Sequence, residues 1–204
     1  MSVKEYLLSQ RRVGATAFRI NEKLSHSLVA QTCLAYLLQF NNLDMLNQDT
    51  IGNFPLAEYA AKYWISHLRS VDNEWDDIQR KLVMTLFQPQ HNAPFISWLR
   101  LWNIEHPSLR PRWHRLKVKS SAIYYASFAG LLPAVQALIE NGADVNAQGG
   151  EYGNALQAAS LKVHEAIVSM LLEKGADTNA LRVGIGTYLA KPVVSHPQVM
   201  QVCF

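Results

Sequence analysis

The residues in this sequence best suited to bind a metal ion or transfer a proton are seven histidines. They occur in neither an HExxH motif nor a CxxC pair, which are patterns typical of such sites. The two cysteines, Cys33 and Cys203, are far apart in the chain and lack the spacing of metal ligands. We therefore predict no catalytic histidine and no metal site. The histidines are His26, His67, His91, His106, His114, His164 and His196.

Two further patterns have some resemblance to reactive sites. Asp76 and Asp77 form a pair of carboxylates that could act as acid and base. They lie near the expected start of a helix, however, where negative charge stabilises the helix dipole. Gly184 and Gly186 could approach a phosphate, but neither a lysine nor a preceding strand accompanies them. The sequence predicts that the protein is not an enzyme and needs no cofactor.

A basic segment between residues 106 and 120 is the competing candidate for a binding site. Arginines interleaved with an aromatic residue can hold single-stranded nucleic acid by charge and stacking. Because a segment with so few cations would bind nucleic acid only weakly and in a salt-sensitive way, we expect residues 106–118 to be a solvated linker. A nucleic-acid-binding adaptor using Arg110–Lys119 is the alternative function. The cations are Arg110, Arg112, Arg115, Lys117 and Lys119, around Trp113.

Composition limits the class of protein. The 204 residues carry a net charge of +3, and 49% of them are hydrophobic and 17% charged. This balance is typical of globular domains and excludes a disordered chain. Apolar runs are too short to cross a membrane, and the first residues lack the apolar core of a signal peptide. We expect an intracellular, cytoplasmic protein with reduced cysteines.

A repeat displaced by 33 residues dominates the second half of the chain. Gly-Ala-Asp-Val-Asn-Ala at 142–147 recurs as Gly-Ala-Asp-Thr-Asn-Ala at 175–180. The same displacement relates 122–127 to 155–160 and also 134–140 to 167–173. Three blocks in one register predict a repeated structural unit.

Each unit predicts a pair of helices followed by a turn. Ser121 and Asn154 are good N-caps for the first helix of each pair, because their side chains can accept a backbone N–H. Pro133 suits the first turn of a second helix, and Gly142 and Gly175 suit the left-handed position after its end. The polar, glycine-rich stretch that follows the first pair predicts a turn into the next unit.

These residues resemble the ankyrin repeat, in which Gly-Ala-Asp-Val-Asn-Ala follows the second helix. The resemblance covers two repeats, 119–151 and 152–180, and implies a stack of helix pairs. Both units lack the Pro and His that the family usually has near the first helix. Gly130 occupies the turn between the helices of the first unit, and Val163 takes its place in the second. Since a positive φ is costly for a β-branched residue, we expect that second turn to be reshaped.

Residues 21–105 predict a separate region of four amphipathic helices packed antiparallel. They begin near Glu22, at Pro55, after a cap at Asp72 or Asn73, and near Pro94. The residues predicted to face the core are Leu24, Leu28, Val29, Cys33, Tyr36, Leu37 and Phe40 in the first helix, Leu56, Tyr59, Ala60, Tyr63, Trp64 and Leu68 in the second, Ile78, Leu82, Val83, Leu86 and Phe87 in the third, and Phe95, Trp98, Leu99 and Trp102 in the fourth.

The first half is also similar to a known family. Segments 2–9, 30–38 and 54–61 resemble the region between the NACHT nucleotidase and the ankyrin array of fungal NACHT–ankyrin proteins. The resemblance implies that residues 1–20 are a remnant of the preceding segment and that the chain is a truncated or short form of such a signalling protein. The NTPase activity of that family is not expected, because the chain has no Gly-x-x-x-x-Gly-Lys-Ser/Thr loop.

The predicted fold is all-α, with a bundle-like N-terminal region, a short ankyrin stack and an irregular tail at 181–204. The ankyrin resemblance implies a non-enzymatic module that binds another protein, one with a basic or mixed surface because 121–180 is acidic. Homotypic contact at the open repeat end, near Leu171 and Leu172, is a further expectation. Correspondence with the contact positions of ankyrin repeats implies that the partner-binding residues are Phe128, Gln148, Glu151, Tyr152, Leu161 and Lys162.

Overall fold

The computed structural model describes residues 21–71, 75–88, 92–107 and 121–178, which form eight α-helices and one short hairpin. The N-terminal helices are α1 (Glu22–Leu38), α2 (Ala57–Arg69), α3 (Asp77–Leu86) and α4 (Asn92–Leu101), with 3₁₀ turns at Leu43–Met45 and Ile51–Asn53. The repeat units contain α5 (Ala122–Phe128), α6 (Leu132–Glu140), β1 (Gln148–Gly149), β2 (Gly153–Asn154), α7 (Ala155–Leu161) and α8 (Glu165–Glu173). The predicted all-α fold is confirmed.

Helix α3 begins later than the sequence pattern predicts. The backbone N–H of Gln79 donates to Asp76 Oδ1 over 2.7 Å, and the backbone N–H of Asp76 donates to Gln79 Oε1 over 2.9 Å. This capping box satisfies two backbone donors at once and starts the helix at Asp77. The predicted cap at Asp72 or Asn73 is therefore wrong for α3, and those two residues lie outside the described ranges.

An aromatic cluster forms the core of the N-terminal helices and extends into the first repeat unit. Trp98 on α4 is fully buried, and its indole N–H donates to the carbonyl of Ala61 over 3.0 Å. Its ring centroid lies 5.3 Å from that of Trp64 and 6.1 Å from that of Tyr125 on α5. Because aromatic rings bury large areas, this cluster packs the helical region directly against the repeats.

Several apolar residues predicted to face the core are exposed instead. Helices α1 and α2 pack against each other, and their small side chains Ala30, Ala57, Ala60 and Ala61 are all buried. Small residues let two helix axes approach closely, and the larger apolar side chains on neighbouring faces are then left in solvent. The predicted core positions that are exposed are Leu24, Leu28, Leu56, Tyr59, Tyr63 and Ile78.

The two repeat units place equivalent residues in equivalent positions. Leu138 on α6 and Leu171 on α8 are both buried, and α6 packs against α8 as α5 packs against α7. The N–H groups of Gly142 and Ala143 close α6, and the same pair of bonds closes α8. Gly142 and Gly175 both have φ +83°, as expected of residues that end a helix in the left-handed conformation.

Asn146 connects the two copies of the Gly-Ala-Asp motif. Its side-chain amide donates to the carbonyl of Gly175 over 3.2 Å, and its Oδ1 accepts the backbone N–H of Asp177 over 2.7 Å. One side chain of the first turn thus satisfies two backbone groups of the second turn. The asparagine in this motif holds neighbouring units in register.

The turn between α7 and α8 keeps the geometry that was expected to change. Val163 has φ +58°, close to the φ +70° of Gly130 at the matching position. The N–H groups of Val163 and His164 bond back to Ser160 and Ala159, as those of Gly130 and Leu131 do in the first unit. The expected reshaping is wrong, because these bonds at the helix end hold a β-branched residue in the left-handed conformation.

We expect Val163→Gly to stabilise the protein. A residue with a side chain is destabilised by roughly 1–2 kcal/mol in the left-handed conformation, and glycine avoids this strain. Glycine also loses more conformational entropy on folding, so the expected net gain in the free energy of unfolding is about 1 kcal/mol. Urea denaturation measures this gain. Lys174→Gly is the matched control, since Lys174 also follows a helix but has an ordinary φ of −91°. Lys174→Gly should lower the free energy of unfolding. A Val163→Gly variant that lowers it as well would contradict the prediction.

Candidate partner-binding surface

Glycines let the hairpin between the repeat units lie directly on an aromatic ring. A Cβ atom added to Gly150 would lie 2.0 Å from Tyr124 Cε1, and one added to Gly149 would lie 2.9 Å from Tyr124 Cβ. Gly150 also has φ +56°, a conformation that favours glycine. Tyr124 is fully buried and cannot yield to a larger residue. The tip of the hairpin is thereby seated on α5.

A carboxylate between α4 and α5 anchors the same tip. Glu105 Oε1 accepts the hydroxyl of Tyr124 over 2.5 Å and the backbone N–H of Glu151 over 2.7 Å. The Tyr124 oxygen accepts the backbone N–H of Tyr152 over 3.2 Å. Burial, followed by the hydrogen bond and charge of Glu105, raises the pKa of Tyr124 far above its usual range. The phenol therefore stays protonated and continues to donate.

The segment that carries Glu105 is itself held in place. Asn103 Oδ1 accepts the backbone N–H groups of Glu105 and His106, over 3.2 and 3.1 Å. His106 Nε2 then pairs with a carboxylate oxygen of Glu151 at the hairpin tip. The side chains of Glu105 and His106 thus join the chain after α4 to the hairpin, which restricts the motion of the hairpin tip.

The half-buried side chain of Tyr152 and the exposed side chain of Lys162 are held against one buried ring beside the hairpin. Phe128 is 3% exposed, and the ring of Tyr152 stacks on it with a centroid distance of 5.7 Å and an angle of 11°. The ammonium group of Lys162 lies 4.4 Å from the centre of the same ring. Burial, then the charges of Glu151 and Glu105, raise the pKa of Tyr152. Tyr152 and Lys162 therefore present a neutral phenol and a cation side by side.

The structure brings three of the six predicted contact residues into contact: Phe128, Tyr152 and Lys162. Gln148 and Leu161 are exposed on β1 and at the end of α7, and Glu151 is half-buried at the hairpin tip. Phe128 is buried and so supports its neighbours without offering a surface of its own, which corrects its place among the predicted contacts. The contact role of the other five residues stays a prediction.

Sequence reasoning did not identify Glu105, His106 or Tyr124 as parts of this arrangement. Tyr124 stands where ankyrin repeats usually have histidine, and that departure was the one signal pointing to it. Ser121 Oγ still accepts the backbone N–H of Tyr124, over 3.3 Å, so the helix cap is retained. Glu105 and His106 are more than 40 residues from the hairpin, and no local pattern connects such distant groups.

Arg69 and His164 connect the N-terminal helices to both repeat units. The guanidinium of Arg69, at the end of α2, donates to the carbonyl of Ala129 and lies 3.3 Å from His164 Nε2. Because arginine can only donate, His164 Nε2 must accept, and the ring is neutral. Burial, with the positive charges of Arg69 and Lys162, lowers the pKa of His164, although a hydrogen bond to the backbone of Phe128 opposes the shift.

We expect the protein to lose stability in mild acid. His164 and His67 both have a pKa below the usual 6.5, so the unfolded chain takes up protons that the folded chain refuses. The free energy of unfolding should therefore fall as the pH drops through about 6.5 toward the lower folded values, and stay high above that. Urea denaturation at several pH values measures the trend. In the His164→Gln variant the free energy of unfolding should fall less steeply with decreasing pH. An unchanged slope would contradict the role of His164 in this acid sensitivity.

The other candidates from the sequence have structural positions or lie outside the described residues. Cys33 is buried, and burial raises the pKa of its thiol. Within residues 21–71, 75–88, 92–107 and 121–178, no three His, Cys, Asp or Glu side chains are grouped as for a metal ion. The described helices include none long and apolar enough to cross a membrane. Outside these ranges lie His91, His114, His196, Cys203, Gly184, Gly186 and the basic segment Arg110–Lys119.

Comparisons with known proteins bear on the repeats. The chain is 38% identical over 191 residues to azaphilone pigments biosynthesis cluster protein L of Monascus ruber, in an alignment covering 86% of this chain and 40% of that protein. The chain therefore spans well under half the length of that relative. No solved structure matches the chain. Residues 92–182 match the family model described as ankyrin repeats (3 copies), and this part of the chain is therefore an ankyrin-repeat region.

Proposed function

We propose that the chain is a non-enzymatic module that binds another protein through Gln148, Glu151, Tyr152, Leu161 and Lys162, here called the hairpin surface. The observation that carries the proposal is the stack of Tyr152 and Lys162 on the buried ring of Phe128. Side chains already held in one arrangement lose little conformational freedom on binding. Ankyrin units use exposed hairpins and inner helices for recognition, which agrees with this position.

The chemistry of the surface suggests the kind of partner. Tyrosine is common where interfaces are most tightly packed, because it gives a large contact area and a polar end. Lys162 supplies a cation, while most of the exposed charged side chains of the two repeat units are acidic. We propose a partner with a basic or mixed surface, which such a charge distribution attracts. The acidic residues are Glu140, Asp144, Glu165, Glu173 and Asp177.

The experiment compares capture of partners by three forms of the full chain. The double variant Tyr152→Ala/Lys162→Ala removes the two side chains that lie on the ring of Phe128 and leaves Phe128 in place. Gln136→Ala/Glu140→Ala is the matched control, because both residues are exposed on α6 and bond to each other. A specific partner should be lost with the first variant and retained with the second. Equal capture by both would refute the hairpin surface, provided that circular dichroism shows all forms folded.

Two more specific proposals concern the first partners to test and the kind of larger protein to which the chain belongs. The identity to the pigment-cluster protein of Monascus ruber makes proteins of such a cluster the first partners to test. The similarity of segments 2–9, 30–38 and 54–61 to fungal NACHT–ankyrin proteins supports a role as the spacer and first repeats of a signalling protein. Sequencing the transcript and the genomic region upstream of Met1 tests this, and an in-frame phosphate-binding loop is the expected result.

A further inference from the structure

Two histidines from different helices meet at the surface, away from the hairpin. His26 on α1 and His67 on α2 are 41 positions apart, yet their Nδ1 atoms lie 2.7 Å from each other. The ring centroids are 5.0 Å apart and the planes are inclined by 38°. Both side chains are half-buried and so can be reached from solvent. We propose that this pair binds one Zn²⁺ ion between α1 and α2, with water completing the coordination.

The distance between the two nitrogens is close to that required. Two imidazole nitrogens on one tetrahedral zinc ion, each about 2.0–2.1 Å from the metal, are about 3.3 Å apart. The observed pair must therefore open by about 0.6 Å, which a small rotation of either ring provides. In the metal-free chain one Nδ1 atom donates a proton to the other. Zinc takes the place of that shared proton and uses both lone pairs.

A neighbouring phenol prepares His67 for this role. The hydroxyl of Tyr59, two turns earlier on α2, lies 3.1 Å from His67 Nε2. Metal-binding histidines commonly donate their second ring N–H to an oxygen acceptor, which fixes the tautomer and the ring orientation, and the Tyr59 oxygen can take this place. With Nε2–H donated to Tyr59, the Nδ1 lone pair of His67 is free for the ion.

The ligand chemistry selects the kind of ion. Imidazole nitrogen suits Zn²⁺, Cu²⁺ and Ni²⁺, and disfavours Mg²⁺ and Ca²⁺, which prefer oxygen. No third His, Cys, Asp or Glu joins the pair among the described residues. A site with two protein ligands binds reversibly and tightens the contact between α1 and α2. Binding to the folded state alone also raises the melting temperature as the free ion concentration increases.

The test titrates the metal-free full chain with zinc chloride near neutral pH and follows the heat of binding. The unmodified chain should bind one ion at this site. His26→Gln and His67→Gln should each weaken binding by about tenfold or more, and Tyr59→Phe should weaken it less. His106→Gln and His164→Gln are the controls, because these histidines face Glu151 and Arg69, and both should retain full affinity. Circular dichroism establishes that each variant is folded.

A second readout identifies the ligands directly. Electron paramagnetic resonance of the chain loaded with one equivalent of Cu²⁺ should show coupling to two imidazole nitrogens. Either single variant should reduce this to one nitrogen or remove the signal. The proposal is overturned if the unmodified chain binds no zinc, or if folded His26→Gln and His67→Gln variants bind it as tightly as the unmodified chain. It is also overturned if the copper spectrum is the same in all three.

Discussion

Gly150→Ala is expected to release the hairpin tip from α5 and to abolish partner capture through the hairpin surface. The new methyl group would lie 2.0 Å from the ring of Tyr124, which is fully buried and cannot move away. The left-handed conformation adds roughly 1–2 kcal/mol, and overpacking of this kind typically costs about 1–3 kcal/mol more. Urea denaturation measures the loss of stability. Hydrogen exchange at the Glu151 and Tyr152 amides measures the release of the tip.

Gly142→Ala is the matched control for this prediction. Gly142 has φ +83°, but an added Cβ atom would meet nothing within 4 Å. Its substitution should cost only the conformational term of roughly 1–2 kcal/mol and leave the Glu151 and Tyr152 amides protected. Equal effects of the two substitutions would show that contact with Tyr124 does not govern the hairpin.

Trp98→Ala is expected to cause the largest loss of stability among single substitutions in the N-terminal helices. The side chain is fully buried, contacts Trp64, Phe87, Phe95 and Tyr125, and donates to the Ala61 carbonyl. Truncating such a tryptophan costs about 3–5 kcal/mol, through lost burial and the cavity that remains. Because Tyr125 belongs to the first repeat unit, α5 should also lose protection from hydrogen exchange.

Trp102→Ala provides the comparison. Trp102 follows α4 directly and is half-buried, with the ammonium of Lys62 5.2 Å from its ring centre. Trp102→Ala should lower the free energy of unfolding clearly less than Trp98→Ala, since the side chain of Trp102 buries less apolar surface when the chain folds. If both substitutions had the same small effect, the aromatic cluster would not be what joins the helical region to the repeats.

The repeat units were predictable because local rules determine them. Ser121 and Asn154 accept a backbone N–H within their own first turn, and Gly142 and Gly175 take up a left-handed conformation that glycine favours. Each rule acts over a few residues, and the displacement of 33 residues repeats them in order. Neighbours elsewhere in the fold were not needed to infer the helix pairs.

The exposed faces of the N-terminal helices could not be predicted in the same way. Leu24 and Leu28 follow a helical period, yet each is more than half exposed. A period shows which residues share a face, and the packing of α2 and α3 against α1 decides which face is covered. The faces of α1 and α2 that are covered include small alanines, and the leucines on a neighbouring face of α1 stay in solvent. The conformation of Val163 could not be predicted from the sequence either, because its backbone hydrogen bonds outweigh the preference of a β-branched residue for negative φ.

By itself, the sequence determined the repeated helix pairs, their caps and the exposed hairpin, because those features depend on neighbours a few residues away. Tertiary structure alone decided that Phe128 lies under Tyr152 and Lys162, that Glu105 anchors the hairpin tip, and that His26 meets His67. These contacts join residues from 24 to 46 positions apart. Only the packing of helices brings such side chains together, and no periodicity along the chain encodes that packing.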